Sequence, residues 1–177
     1  MRVLKLLSIL ILISELTSAQ IGKTTTVNTL KATFLGLSYS YEQSISQKST
    51  INYEFMLAGA FGSNFMYGNY WLIVPIMQVE PRYYYNIVTR YDKGRRTINN
   101  SANYLSISAN YQFGASIGRS SNVSSQNTFS LIPKWGIKRT IGNHFIFEFA
   151  TGLGAYTSGG NQWRVTPGLD LKFGYSF

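Results

Sequence analysis

The sequence predicts an all-β protein: an antiparallel up-and-down transmembrane β-barrel of eight strands, with one short helix in a connection. Three observations predict it. Apolar residues recur at every second position over long stretches, the pattern of strands with one apolar face. Beyond the first twenty residues no apolar run reaches the ~18 residues of a membrane helix. The chain holds 13 Tyr, 11 Phe and 3 Trp with abundant glycine and serine, while charged residues make up only 13% of it, a mixture that favours strands over helices.

The first element is "MRVLKLLSILILISELTSAQ". Arg2 and Lys5 precede an apolar run from Leu6 to Ile13, and Thr17, Ser18 and Ala19 close it as a small-residue cleavage site. Residues 1–19 therefore read as a signal peptide and residues 20–177 as one mature domain. Without Arg2, Lys5 and Glu15 the mature chain carries 14 basic against 6 acidic residues, a net charge of +8. Such a charge suits anionic lipid or polysaccharide, and export makes nucleic acid the weaker partner. The chain has no cysteine, which excludes disulfides, a lipoprotein anchor and thiolate metal sites.

Seven strands follow from the alternation. Thr33, Leu35, Leu37 and Tyr39 share one face of the first, against Gly36, Ser38, Ser40 and Glu42. Ile51, Tyr53, Phe55, Leu57 and Phe61 share a face of the second. A long strand covers about 70–85 and alternates well only near Glu80 and Arg82. Strands over 103–117, 129–138, 144–156 and 163–177 complete the seven, and Ile146 is the one large aliphatic on a polar face. Single-chain outer-membrane barrels use an even number, so an eighth strand is expected in "GKTTTVN", residues 22–28, with a break before Lys31. Between strands, "RTIGNH" reads as a tight turn over Ile141, Gly142 and Asn143, with Asn143 left-handed. The segments 120–127 and 157–162 read as exposed loops. Tyr84, Ile87, Val88 and Tyr91 recur at helical spacing, with Asn86 to cap the helix and Gly94 to stop it.

The content of the polar face decides which way the apolar face points. A soluble barrel of the lipocalin kind keeps apolar side chains inside and charged ones outside. Here the polar face is mostly Gly, Ser and Asn, as a crowded lumen requires. Its few charges come in both signs: Glu54, Glu80, Glu148 and Asp170 against Arg82, Lys134, Lys138, Arg164 and Lys172. Tyr70, Trp71, Tyr83, Tyr85, Trp135, Trp163 and Tyr175 stand near strand ends on the other face, as interfacial aromatic girdles do.

With its leader, its alternating strands, "EPRYYYN", "LSYSYEQSISQKSTINY" and the final "LDLKFGYSF", the chain resembles the small outer-membrane β-barrel proteins of Gram-negative bacteria, the OmpA/OmpX/OmpW-like class. The resemblance covers nearly the whole mature chain. It implies location in the cell outer membrane among lipid and lipopolysaccharide. It also implies that Phe177, an aromatic last residue on an amphipathic last strand, is a sorting signal for the outer-membrane assembly machinery. Phe177 would then lie at the periplasmic end with "RTIGNH" and the stretch around Arg90, while 62–69, 118–127 and 157–162 would face outside.

Catalytic chemistry finds little to work with. His144 is the only histidine, and Glu148, on the same strand face, lies about 13 Å away at strand rise, too far to orient it. One His without Cys builds no zinc site, and "GKTTT" lacks the upstream glycine of a phosphate loop. No cofactor is expected. Arg90, Lys93, Arg95 and Arg96 form a basic cluster suited either to solvent or to phosphate headgroups. The function expected is non-enzymatic, structural or surface-interacting. A narrow pore along the charged lumen and a soluble lipocalin-like carrier of a hydrophobic ligand are the alternatives.

Overall fold

The computed structural model describes residues 22–34, 36–64, 68–119, 125–160 and 162–177, and at 62–64, 68–70, 118 and 119 the backbone alone. The leader expected over 1–19 lies outside these residues. So do Leu35, the side chain of Tyr70, and positions 65–67, 120–124 and 161 of the expected outer loops.

Eight antiparallel strands close into a barrel. They are β1 (Val27–Thr33), β2 (Gly36–Ser44), β3 (Ser49–Asn64), β4 (Gly68–Tyr83), β5 (Asn103–Gln112), β7 (Thr128–Ile141), β8 (Phe145–Ser158) and β9 (Arg164–Ser176); β6 (Gly118–Arg119) is a two-residue addition to β4. Sequential strands pair as hairpins, and β1 with β9 closes the ring, Thr29 opposite Ser176. The strands are steeply tilted. A row of paired residues from Lys31 through Ser38, Met56, Ile76, Gln112, Thr128 and Ser158 runs off the top of β9 above Arg164, although Lys31 itself pairs with Gly174. That stagger is what closing a sheet requires.

Alternation sorts the faces as a barrel demands. Leu37, Tyr39, Phe55, Met77, Leu105, Ile107, Leu169 and Phe173 are exposed on the outside, while Ser38, Ser40, Asn52, Gln78 and Ser108 are buried inside. β4 alternates poorly in sequence because Leu72, Val74 and Ile76 share its inward face with Gln78, Glu80 and Arg82. Close approach explains one inward glycine: Gly136 pairs directly with Tyr104, whose ring lies where a β-carbon would sit.

The first hairpin corrects the expected N-terminal strands. β1 is Val27–Thr33, not 22–28, and Thr33 pairs with Gly36 across a two-residue turn. The alternation from Thr33 to Tyr39 thus runs through a hairpin, which turns Thr33 and Leu37 to opposite faces. Thr24 instead straps the barrel end, its amide donating to Gln47 O at 3.0 Å. Two smaller corrections follow. The strand expected over 103–117 stops at Gln112, and the chain bulges before Gly118 rejoins β4 opposite Ile73. In "RTIGNH" the pair Ile141–Phe145 leaves Gly142, Asn143 and His144 in the turn, and Gly142, not Asn143, is left-handed at φ 63°.

The helix α1 (Ile87–Asp92) forms in the β4–β5 connection, with Gly94 at φ 63° just beyond it. A short 3-10 turn, Ile98–Asn100, follows. This connection folds across one barrel end as a plug, with Tyr84, Ile87, Asn100 and Ala102 fully buried. Asn99 and Asn100 adopt left-handed angles, which asparagine tolerates better than most residues. Their side chains tie the plug to the segment ahead of β1 and to β9. Asn100 exchanges bonds with the Thr25 backbone at 2.7 and 2.9 Å, and Asn99 Nδ2 donates to Ser176 Oγ at 2.7 Å.

The opposite rim is uneven. β1 ends at Thr33, opposite Lys172, yet β9 extends beyond that level to Arg164. β2 starts at Gly36, opposite Ala58, yet β3 extends to Asn64. Above the turn at Phe34, β9 and β3 therefore have no strand partner on their facing edges among the described residues.

Candidate functional site in the barrel lumen

Inward-facing positions place charged side chains from seven of the eight strands on nearly one level, because tilt offsets their different registers. Lys31 (β1), Glu42 (β2), Glu54 (β3), Glu80 and Arg82 (β4), Lys134 and Lys138 (β7), Glu148 (β8) and Lys172 (β9) are all buried. β5 contributes Tyr104 and Ser106 instead.

Glu148 is the hub. Its carboxylate meets Lys31 at 3.0 Å, Arg82 at 3.1 Å and Lys138 at 3.5 Å. Arg82 also bridges to Glu80 at 2.6 Å, and its guanidinium lies 4.6 Å from the Tyr104 ring centre. Lys172 holds Glu54 at 2.8 Å, Lys138 holds Glu42 at 2.6 Å, and Lys134 holds Asp170 at 2.6 Å. Hydroxyls fill the remaining acceptor sites: Ser38 donates to Glu54, Ser106 to Glu80, and Thr50 and Tyr84 to Glu42, each at 2.7–2.8 Å. Buried charges are tolerated only when paired and hydrogen-bonded in this way. Five carboxylates face five cations, so the belt is neutral as a whole.

Of the charged residues the sequence marks as inward-facing, Glu54, Glu80, Arg82, Lys134, Lys138, Glu148, Asp170 and Lys172 lie in this network. Arg164 does not. It is exposed at the open rim, on the inward face of β9 but too far along the strand to reach the others. With Gln126, Thr128, Tyr156 and Gln162 it lines a polar pocket of about 380 Å³. Sequence reasoning misses two members, Lys31 and Glu42. Glu42 shares the polar face of its strand with Ser38 and Ser40, which was signal enough. Lys31 is hidden by the unrecognised hairpin.

The other marked residues have structural surroundings. His144 Nδ1 lies 2.9 Å from Ser176 O, and its ring stacks on Tyr175 with centres 5.1 Å apart. Arg90 Nε donates to Ser101 O at 2.9 Å inside the plug; partial burial, with Arg95 nearby, lowers its pKa from the usual value. Lys93, Arg95 and Arg96 are exposed at the plugged end. Phe177 donates its amide to Asn28 O at 3.2 Å, while its ring points outward, 6.4 Å from Tyr39.

A neutral, paired belt of this kind holds the walls of the barrel together and offers no unpaired base or nucleophile. Among the described residues no group of His, Asp and Glu is arranged to hold a metal. Compared with known proteins, the chain matches no family model, no curated protein and no solved structure.

Proposed function

We propose that this chain is an integral outer-membrane β-barrel protein with a structural or surface-interaction role, neither catalytic nor conducting. The observation that carries the proposal is the inversion of the two faces. The outside is apolar around the whole ring, and the inside holds the charges. In water, an exterior of Leu, Ile, Phe and Met on all sides would far exceed the apolar patches that soluble monomers expose. In lipid, the same exterior is the favoured one, and a closed sheet is the only β architecture that pairs its backbone. Tyr41, Tyr53, Tyr83 and Tyr175 toward the plugged end, with Trp71 and Trp163 toward the open end, are placed as two girdles.

The two rival functions have less support. A lipocalin-like carrier needs an apolar cavity at the barrel centre, where this lumen holds ion pairs. A pore needs a continuous water path, and here the charged belt and the plug lie in series. In the orientation that the resemblance implies, the plug and its basic residues would face the periplasm and the open rim the surface, against lipopolysaccharide or surface partners.

Cell fractionation combined with gel mobility tests the proposal. The protein is expected in the outer-membrane fraction, where it should run faster unheated than boiled, as closed barrels do. A soluble periplasmic product whose mobility is unaffected by heating would overturn it.

A further inference from the structure

The charge that the belt does not use is unevenly placed. The belt is neutral, so the basic excess beyond residue 19 lies outside it. Only Arg119 and Arg164 of that excess stand toward the open end; the rest, from Lys23 and Lys48 to Arg139, crowd the plugged end. Asp92 is the one acidic side chain there that stands outside the belt. Every ion pair among the described residues belongs to the belt, so none reaches Arg90, Arg95 or Arg139.

Those three arginines meet on one flank of the plug. Arg90 Nε donates to Ser101 O at 2.9 Å, and Arg139 Nη2 donates at 2.6 Å to Oδ1 of Asn103, two residues further on. Arg95 is folded back against the helix by its own amide, which donates to Arg90 O at 2.8 Å. Arg90 and Arg95 both act on Arg139 as neighbouring like charges. The oxygens that Arg90 and Arg139 hold belong to backbone and amide groups, and N–H groups remain from the five that each guanidinium carries. Arg139 also faces outward on β7, between Ile137 and Ile141 and four residues from exposed Trp135. Trp135 Nε1 and Asn103 Nδ2 both donate to Tyr85 Oη, at 3.0 and 3.2 Å, so the aromatic pair and the arginines share one strip of the wall. Tyr and Trp on an outer wall mark the headgroup level.

We propose that Arg90, Arg95 and Arg139 bind the phosphate of one anionic phospholipid in the leaflet around the plugged end, its chains running along Trp135 and the outer face of β7. The proposal rests on the membrane location argued above. Three like charges held together without a carboxylate repel one another. A phosphate relieves that repulsion and accepts paired N–H groups from the planar guanidinium. A lipid delivers the phosphate at the right depth, because Arg139 sits on a wall otherwise given to hydrocarbon, where a cation is tolerated near the interface and costly further in. The other cations of the same end add attraction for an anionic leaflet without shaping a site. A zwitterionic headgroup brings its own cation against the cluster, so the site selects lipids of net negative charge.

The test uses Trp135 as its reporter. A barrel carrying Trp71→Phe and Trp163→Phe is refolded in phosphatidylcholine vesicles in which a minor share of the lipid has brominated chains, either as phosphatidylglycerol or as phosphatidylcholine. At equal share, the brominated phosphatidylglycerol is expected to quench Trp135 several-fold more strongly. Arg95→Gln with Arg139→Gln should abolish this preference. Lys93→Gln with Arg96→Gln, the same loss of charge at exposed positions of the same end, should keep most of it. Equal effects of the two pairs would show a diffuse surface charge and overturn the site. Equal quenching by the two lipids, on a barrel that is inserted and heat-modifiable, would overturn the site and leave the membrane location standing. Failure of the protein to insert at all would overturn both. Loss of the preference on adding millimolar inorganic phosphate at constant ionic strength would overturn the lipid as the source of the phosphate.

Discussion

Lys138 on β7 and Glu42 on β2 stand on opposite walls of the barrel, yet Lys138 Nζ donates to Glu42 Oε2 at 2.6 Å. Both side chains are about 1% exposed. A link across the full lumen, made by two charges without solvent, ties together strands that share no backbone bonds. Removing one partner leaves the other buried with only its longer contact, Glu42 to Arg82 at 3.6 Å or Lys138 to Glu148 at 3.5 Å, at a cost of up to ~3–5 kcal/mol. Lys138→Met should therefore destabilise the refolded barrel strongly in urea titrations followed by tryptophan fluorescence. Adding Glu42→Gln should recover a large part of the loss, because Thr50 and Tyr84 can still hydrogen-bond the amide. Additive losses in the double variant would show that the link does not couple the walls.

The hub predicts a different hierarchy. Glu148 faces three cations, and Asp170 one. Glu148→Gln leaves Lys31, Arg82 and Lys138 sharing only Glu42, Glu54 and Glu80, in a fully buried setting. Asp170→Asn acts where water reaches the side chain, and screening there reduces the loss. The midpoint of urea unfolding should fall much further for Glu148→Gln than for Asp170→Asn. An equal shift for both would mean that burial does not govern the network.

Conduction is the next consequence. The belt is neutral and crosses the lumen, and the plug is bonded to the segment ahead of β1 through Asn100 and Thr25, to β7 through Thr140 and to β9 through Asn99. Planar bilayers containing the purified protein should show no regular conductance steps. Regular, ion-selective steps would mean that both layers open together, and would restore the pore as the function.

How legible was this in the sequence? Strand alternation and the placement of most inward charges could be read directly, because a period of two requires only that each strand keep its direction. Parity tells which face a residue occupies but not its depth, so Arg164 read as an interior charge although it stands at the rim. Lys31 was lost for a related reason. A two-residue hairpin at Phe34 carries alternating residues on both sides, and nothing in Thr33 to Tyr39 marks the reversal of face. The plug was legible only as a short helix. Its second half depends on left-handed Asn99 and Asn100, held by bonds to Ser176 and Thr25, partners too distant in sequence to be inferred.

Two glycines separate packing from backbone freedom. Gly136 has ordinary strand geometry, but a β-carbon there would run into the Tyr104 ring, itself pinned by Arg82. Gly142 has open space around it but a φ of 63°. Gly136→Ala should cost ~1–3 kcal/mol by overpacking. Tyr104→Leu in the same chain should relieve part of that cost. Gly142→Ala should cost about 1 kcal/mol through strain, and Gly142→Asn less, because asparagine tolerates the left-handed region. Urea titration of the four variants checks the order. Relief of Gly142→Ala by Tyr104→Leu would contradict the separation.

Phe177 distinguishes a sorting role from a structural one. Its ring is 70% exposed on the outer face and touches the barrel through Tyr39, while its amide makes one bond to Asn28. The backbone bond survives any side-chain substitution, so Phe177→Ala should change the stability of the refolded barrel by no more than ~1 kcal/mol. In cells the same variant should reduce the amount of heat-modifiable protein in the outer membrane severalfold, if the ring is what the assembly machinery reads. Phe177→Tyr should restore it, keeping an aromatic ring at this position. Unchanged accumulation of Phe177→Ala would show that the last strand is recognised by its other outward residues, with Phe173 and Tyr175 the first to examine.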